Sequence, residues 1–390
     1  MRFTIQRSFG FGLALVAAAC GQAQAGPDYV VTNLVSDIAG LAANTDTNLK
    51  NPWGVAYSPS GPFWVSNQGS NTSTLYNGAG TPFPPGNPLV VTIPTTTGGP
   101  NGPTGQVFNG NANDFTLSDG KAANFLFANL NGQIAGWNGG LGTAAQTVVP
   151  ATGAIYVGLA IGTVGNNNVL YAADGIGNKI DVYDSKFNNL NGGSFAGAFK
   201  DPLLPVGYGV FNVQNINGTL FVSYSNPANG NEGTNGGVIA EFGLDGHFIK
   251  QLAASGPGGP LQAPWGMVMA PSNFGKFSND LLVGNQYSGQ INAYDPISGT
   301  YLGNVATVTN DPTVTNNGLW ALAFGNGGIA GSTSTLYAFA GINYEQDGLI
   351  VAITSVPEPG SIVLTASAGL LATGIGFARR RRERSKAESA

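Results

Sequence analysis

From residue 29 onward, short runs of β-branched and aromatic residues alternate with clusters of Gly, Asn, Asp and Ser. Runs too short for a helix and bounded by turn formers predict hairpin-linked β-strands. No stretch of this body carries a helical period. An aromatic residue followed by small and aliphatic ones recurs at Trp53-Gly54-Val55, Tyr208-Gly209-Val210, Trp265-Gly266-Met267 and Trp320-Ala321-Leu322. Fainter copies stand at Tyr156-Val157-Gly158 and Gly105-Gln106-Val107. The six starts lie about 50 to 57 residues apart, a spacing that marks a repeat architecture.

Each start is followed by a second apolar strand, predicted at 63–67, 125–129, 170–174, 220–224, 281–285 and 336–340. A third, alternating strand follows a turn, most clearly at 133–137, 179–183, 238–242 and 290–294, and Asp245-Gly246 and Ser298-Gly299 lead into fourth strands. Four antiparallel strands repeated six times predict an all-β, six-bladed β-propeller, because a ring lets every blade bury both faces against neighbours. The last repeat supplies only three strands before the chain leaves at 349–353. Its fourth is expected from Tyr29 to Val35, so that an N-terminal strand closes the ring. A seven-bladed ring or a two-sheet sandwich fits the six starts less well.

The two ends read differently. Arg2 and Arg7, an apolar run from Phe9 to Cys20 and Ala23-Gln24-Ala25 have the order of a secretory signal peptide, with cleavage expected after Ala25. Cys20 in Ala-Ala-Ala-Cys-Gly also suits lipidation, and the remaining chain has no second cysteine for a disulfide. At the other end stand Val356, Pro357, Glu358 and Pro359, an uncharged apolar run over 361–377, and Arg379, Arg380, Arg381 and Arg382. As a helix that run covers roughly 25 Å, the short end of what crosses a hydrocarbon core, and the arginines should hold its far end in the cytoplasm. The expected organisation is therefore a signal peptide over 1–25, a propeller over 26–355 and a tail over 356–390.

That tail resembles a PEP-CTERM sorting signal, which implies an exported protein, an exosortase-type processing peptidase as partner, and initial anchoring in the inner membrane through the C-terminal transmembrane helix. The strand pattern resembles propellers of the NHL and SMP-30 type. The chain as a whole resembles an uncharacterised family of PEP-CTERM-tailed propellers, a resemblance that brings no activity with it.

Charge narrows the partners. Between Gly26 and Val356 there are 17 acidic and 7 basic residues, a net charge of −10. Such a surface excludes nucleic acid, whose phosphates need cations, and does not favour anionic headgroups. Charged residues are only 9% of the chain, against about a quarter ordinarily, and polarity rests on Asn, Gly, Thr and Ser.

Candidate chemistry is sparse. The one histidine, His247, lies in a tight turn opening a fourth strand, where it is expected exposed at a blade edge rather than beside a nucleophile. One His and one Cys cannot make a zinc centre. Calcium takes carboxylate and amide oxygens, and the residues ending the second strands, Asn67, Asn129, Asp174, Asn226 and Asn285, are the candidates. In SMP-30-type propellers such an ion occupies the central channel. Those residues also suit a structural role, since Asn and Asp at a strand end hydrogen-bond the next turn. Trp53, Trp265 and Trp320 share one repeat position, which predicts packing between blades, with a sugar-stacking platform as the alternative. Gly-rich insertions at Thr95–Pro100 and Asn226–Gly237 are expected as long loops on one face, where binding functions lie. The function expected from all this is an exported, envelope- or surface-associated, non-enzymatic propeller that binds extracellular polysaccharide or an envelope protein. The alternative is a calcium-dependent, lactonase-like hydrolase.

Overall fold

The computed structural model describes residues 28–226, 236–309 and 311–356. Six antiparallel sheets follow one another along the chain. Their innermost strands are Pro52–Ala56, Pro103–Phe108, Tyr156–Val164, Gly209–Ile216, Pro264–Met269 and Leu319–Phe324. Each of these contacts the inner strand of the blade before and after it, the sixth meeting the first, so the body is a closed six-bladed propeller. The second strands follow their expected positions closely, at Phe63–Asn67, Phe125–Asn129, Asn167–Asp174, Thr219–Ser225, Leu281–Asn285 and Leu336–Ala340.

Closure is as the strand count requires. Tyr29–Ser36 pairs antiparallel with Leu349–Ser355, completing the sixth blade around the sequence's last described strand. A short parallel strand, Asn44–Thr45, adds itself to this outer edge. One departure from the four-strand repeat remains. The third blade has three strands, and its outer edge is reached only by an isolated bridge between Tyr183 and Asn189. Here the Asn- and Gly-rich stretch after Asn188 offers turns rather than an alternating strand.

The recurrent small residue has a geometric cause. Every inner strand shifts register against its second strand at this place, between Pro52 and Val55, Pro103 and Gln106, Tyr156 and Gly158, Val210 and Asn212, Pro264 and Met267, and Leu319 and Leu322. The bulge aims the small residue at the next blade. A Cβ on Gly54 would overlap the Thr104 carbonyl, one on Gly158 the Asn212 side chain, and one on Gly266 the Trp320 carbonyl. Glycine is thus required by close backbone approach around the waist of the ring.

The residue just before the small one fills that waist. Trp53, Trp265 and Trp320 stand there, with Phe211 before Asn212 in the fourth blade, and Trp320 meets its counterparts in both neighbouring blades. The Trp265 indole N–H donates to the Val157 carbonyl two blades away, at 2.8 Å. Trp320 meets Trp53 edge-on at 4.0 Å between centroids, Trp265 at 5.9 Å and Phe211 at 5.9 Å. These tryptophans therefore pack between neighbouring blades, as the repeat predicts, and together they stopper the channel. Farther from the axis, packing between blades is shared by residues such as Trp64, which stacks on Phe125 at 4.2 Å and meets Trp137 at 4.6 Å.

The signal peptide with its Ala25 cleavage site and Cys20, and the tail from Pro357 through Glu358, Pro359 and the arginines, lie outside the described residues. Val356 is described, and its N–H donates to the Asp28 carbonyl at 2.9 Å. Among the described residues no helix is long and apolar enough to cross a membrane.

Candidate functional site

The stopper divides the channel into two recesses. One opens on the face where the inner strands begin, called here the leading face, and the other on the trailing face where they end. Connections between second and third strands, and between one blade and the next, all lie on the leading face. The Thr95–Pro100 insertion is one of them, linking the first blade's outer strand to the second blade's inner strand. Most of the Asn226–Gly237 insertion lies outside the described residues.

A local rule builds the rim of this face. The N–H of the residue after a second strand donates to the carbonyl of the residue just before the same blade's inner strand: Gln68 to Asn51 (3.0 Å), Leu130 to Gly102 (3.1 Å), Gln286 to Ala263 (3.0 Å) and Gly341 to Gly318 (2.7 Å). These acceptors take positive φ, between 45° at Asn51 and 109° at Gly102. The turn so formed lifts Gln68 and Gln286 onto the mouth of the channel.

The sixth blade contributes the charge. After Leu336–Ala340 the chain makes a left-handed turn in which Asn343, Tyr344 and Glu345 all have positive φ (54°, 57° and 64°). Three consecutive non-glycine residues in this region are costly and persist only where surroundings over-determine them. Asn343 donates to Asp347 at 2.9 Å and accepts from the Thr315 N–H at 3.0 Å, while the Tyr344 N–H donates to Asn317 at 2.8 Å. The turn delivers Glu345 to the mouth. Its Oε1 accepts from Gln286 Nε2 at 2.8 Å and its Oε2 from Asn51 Nδ2 at 3.4 Å, so one carboxylate ties together the fifth, sixth and first blades.

The belt continues sideways. Asn51 also donates to Gln68 at 2.8 Å, Gln68 to the Asn101 carbonyl at 2.8 Å, and Asn131 to Asn101 at 2.9 Å. The stopper joins it from below, since the Trp320 indole donates to Asn51 Oδ1 at 2.9 Å. Two buried atoms have no protein partner: the indole nitrogen of Trp53 and Oε1 of Gln286, a residue only 7% exposed. Burial holds the Glu345 carboxyl above its ordinary range, opposed by the hydrogen bonds from Gln286 and Asn51. No lysine or arginine among the described residues pairs with it. Tyr344, beside it, is 58% exposed. The arrangement offers a partly buried acceptor pair, amide donors and acceptors, and an aromatic face.

The residues proposed for calcium are not brought together. They stand in different blades, and Asn67, Asp174 and Asn285 serve their own turns, whereas neither side-chain polar atom of Asn129 has a partner among the described residues. Asn67 donates to Thr72 and Thr74. Asp174 accepts the Ile155 and Gly177 N–H groups and faces Lys179. Asn285 accepts the Gln262 N–H and donates to the Pro260 and Gln290 carbonyls. Asn129 is buried within the second blade. Among the described residues no group of three or more His, Cys, Asp or Glu converges on a metal position. His247 lies exposed just before Phe248–Ser255, paired with Asp245.

No family model matches the chain. It is 31% identical over 350 residues to Uncharacterized protein R648 of Acanthamoeba polyphaga mimivirus, spanning 85% of this chain and 82% of that protein. A solved protein of unknown function from Bacteroides thetaiotaomicron shares the fold at a TM-score of 0.50 and 11% identity, covering 83% of this chain and 76% of that one. The soluble aldose sugar dehydrogenase of Escherichia coli, in apo form, superposes at a TM-score of 0.49 and 15% identity, over 84% of this chain and 100% of that one. The first of these likenesses speaks of the fold alone. With the sequence kinship running through the whole ring, the chain belongs to the family of mimivirus protein R648.

Proposed function

We propose that the leading face binds a neutral, hydroxyl-rich ligand, a stretch of polysaccharide, and holds it without turning it over. The observation that carries this reading is the Glu345 carboxylate fixed at the channel mouth by Gln286 and Asn51. A carboxylate accepts hydrogen bonds from vicinal hydroxyls, and charge-assisted bonds of this kind are the strong ones. The unpartnered Gln286 Oε1 supplies a further acceptor, and Tyr344 an aromatic face for a sugar ring. The nearly uncharged surface presents nothing to repel a neutral chain. Amides neither give nor take a proton near neutral pH, so the groups meeting Glu345 suit recognition better than acid–base turnover.

The same reading carries the protein out of the cytoplasm, with Val356 to Pro359 as the processing region of an exosortase-type peptidase and an envelope or cell-surface destination. What supports it is the order of motif, apolar run and arginines in the sequence. Calorimetric titration with neutral oligosaccharides, after a glycan array has chosen them, is the test of binding. Glu345→Gln should weaken the best ligand by about tenfold, the equivalent of ~1.4 kcal/mol, and Tyr344→Ala should also weaken it. A blank array with correctly folded protein overturns the proposal.

A further inference from the structure

On the trailing face, between the final residues of the inner strands, lies a recess of ≈ 430 Å³. That is within the range that small-molecule sites occupy. Trp265 is part of its lining, and because its indole N–H is engaged by Val157, the ring offers the recess apolar surface only. Val55, Leu159 and Ile161 form further wall, joined by Met267 and Met269. These are two of only three methionines in the chain; Met267 is buried in the core behind the wall, and Met269 is partly exposed, where its unbranched, polarisable thioether can adapt its shape to a ring placed against it.

Charge is missing from this lining altogether, in contrast to the carboxylate on the opposite face. Most of its polar groups are already engaged. The Tyr57 hydroxyl donates to the Phe324 carbonyl at 2.9 Å, and Asn215 donates to the Ile161 carbonyl at 2.9 Å and accepts the Gly218 N–H at 3.0 Å. Gln214 is different. Its Oε1 is fixed by the Met267 N–H at 2.6 Å and by Asn212 at 3.4 Å, which orients the amide and leaves its Nε2 with no partner among the described residues. Gln106 Nε2 also lacks a partner but is buried, so Gln214 offers the oriented donor in an uncharged wall that is polar as well as apolar. Such a wall selects for a neutral molecule with an acceptor, because a charged one would lose its hydration without compensation.

We propose that this recess is a second binding site, for a small, flat, neutral molecule that presents a carbonyl or hydroxyl oxygen to Gln214 Nε2. The tryptophan stopper separates it from the leading face, so the two sites take chemically different ligands.

Protein labelled with [methyl-¹³C]methionine gives a spectrum in which Met267 and Met269 are assigned by Met267→Leu and Met269→Leu. Coumarin, which is neutral, flat and carries a carbonyl, should shift both signals along a saturable curve, while 1-naphthoate, of similar size but charged, should not. Gln214→Leu should weaken coumarin about tenfold, and Ala56→Phe, which fills the recess from its partly exposed rim, should abolish the shifts while circular dichroism stays that of the native ring. Glu345→Gln should leave the coumarin curve unchanged, whatever it does to sugars. Shifts that stay linear to millimolar coumarin, or that survive Ala56→Phe unaltered, overturn the proposal.

Discussion

Glu345 shows how a single side chain can be set against its own ionisation. Burial favours the protonated carboxyl, so its folded-state pKa lies above the ordinary value of 4.5. A group raised in this way contributes stability that is fully present below its unfolded pKa and is lost as pH climbs through the folded one. Glu345→Gln removes the penalty. The variant should therefore melt at a higher temperature than the parent at pH 7, with the gap closing towards pH 4. A gap that stays constant across this range would mean that the carboxylate is not desolvated. Little in the chain's pattern points to this residue, because a left-handed turn built from Asn343, Tyr344 and Glu345 contains no glycine to announce it. The neighbouring case is more instructive. Asn67 and Asn285 stood out as strand-ending residues, yet the side chains at the mouth are those of Gln68 and Gln286, one position later. Successive side chains of an extended chain point to opposite sides, so a reading one residue short lands inside the blade. The repeated Asn-Gln pair was the available signal.

At the level of the strand, the repeated aromatic-small motif was legible as a period but not as a shape. Its strand starts were all located, including the faint copy at Gly105, because periodicity survives weak individual matches. What the motif does, bulging inward so that backbones abut and aromatic rings cross the axis, depends on contacts between residues more than fifty positions apart. The waist is accordingly intolerant of bulk. Gly266→Ala should lower unfolding free energy by about 1–3 kcal/mol, as overpacking does, measured by urea denaturation. The same change at Gly192, which has open space around its missing side chain, should be nearly neutral. Equal effects at both positions would remove the packing argument. The third blade's missing outer strand was not foreseen, since an irregular stretch and a weak strand look alike until the ladder is seen to be absent.

For the ring as a whole, stability converges on the join. Lys50 pairs with Asp37 and, at 3.0 Å, with Asp347, linking the chain after the first strand to the chain before the last. The Asp37 side chain is 2% exposed, so removing the lysine strands a buried charge, which is strongly destabilising. Lys276 and Asp28, 3.0 Å apart, are both at least half exposed, and such pairs contribute little. Lys50→Ala should cost more than ~1 kcal/mol in chemical denaturation and Lys276→Ala less than about 0.5. The reverse order would show that the join is held by the strand ladder alone.

Tyr29–Ser36 is made first and waits for Leu349–Ser355, which is made last. A chain emerging in order from the ribosome therefore carries an open sixth sheet until Leu349–Ser355 is free. Neither recess exists before that moment. A product cut short near residue 340 would have every other blade and an unclosed ring, so completeness is checked by the act of folding.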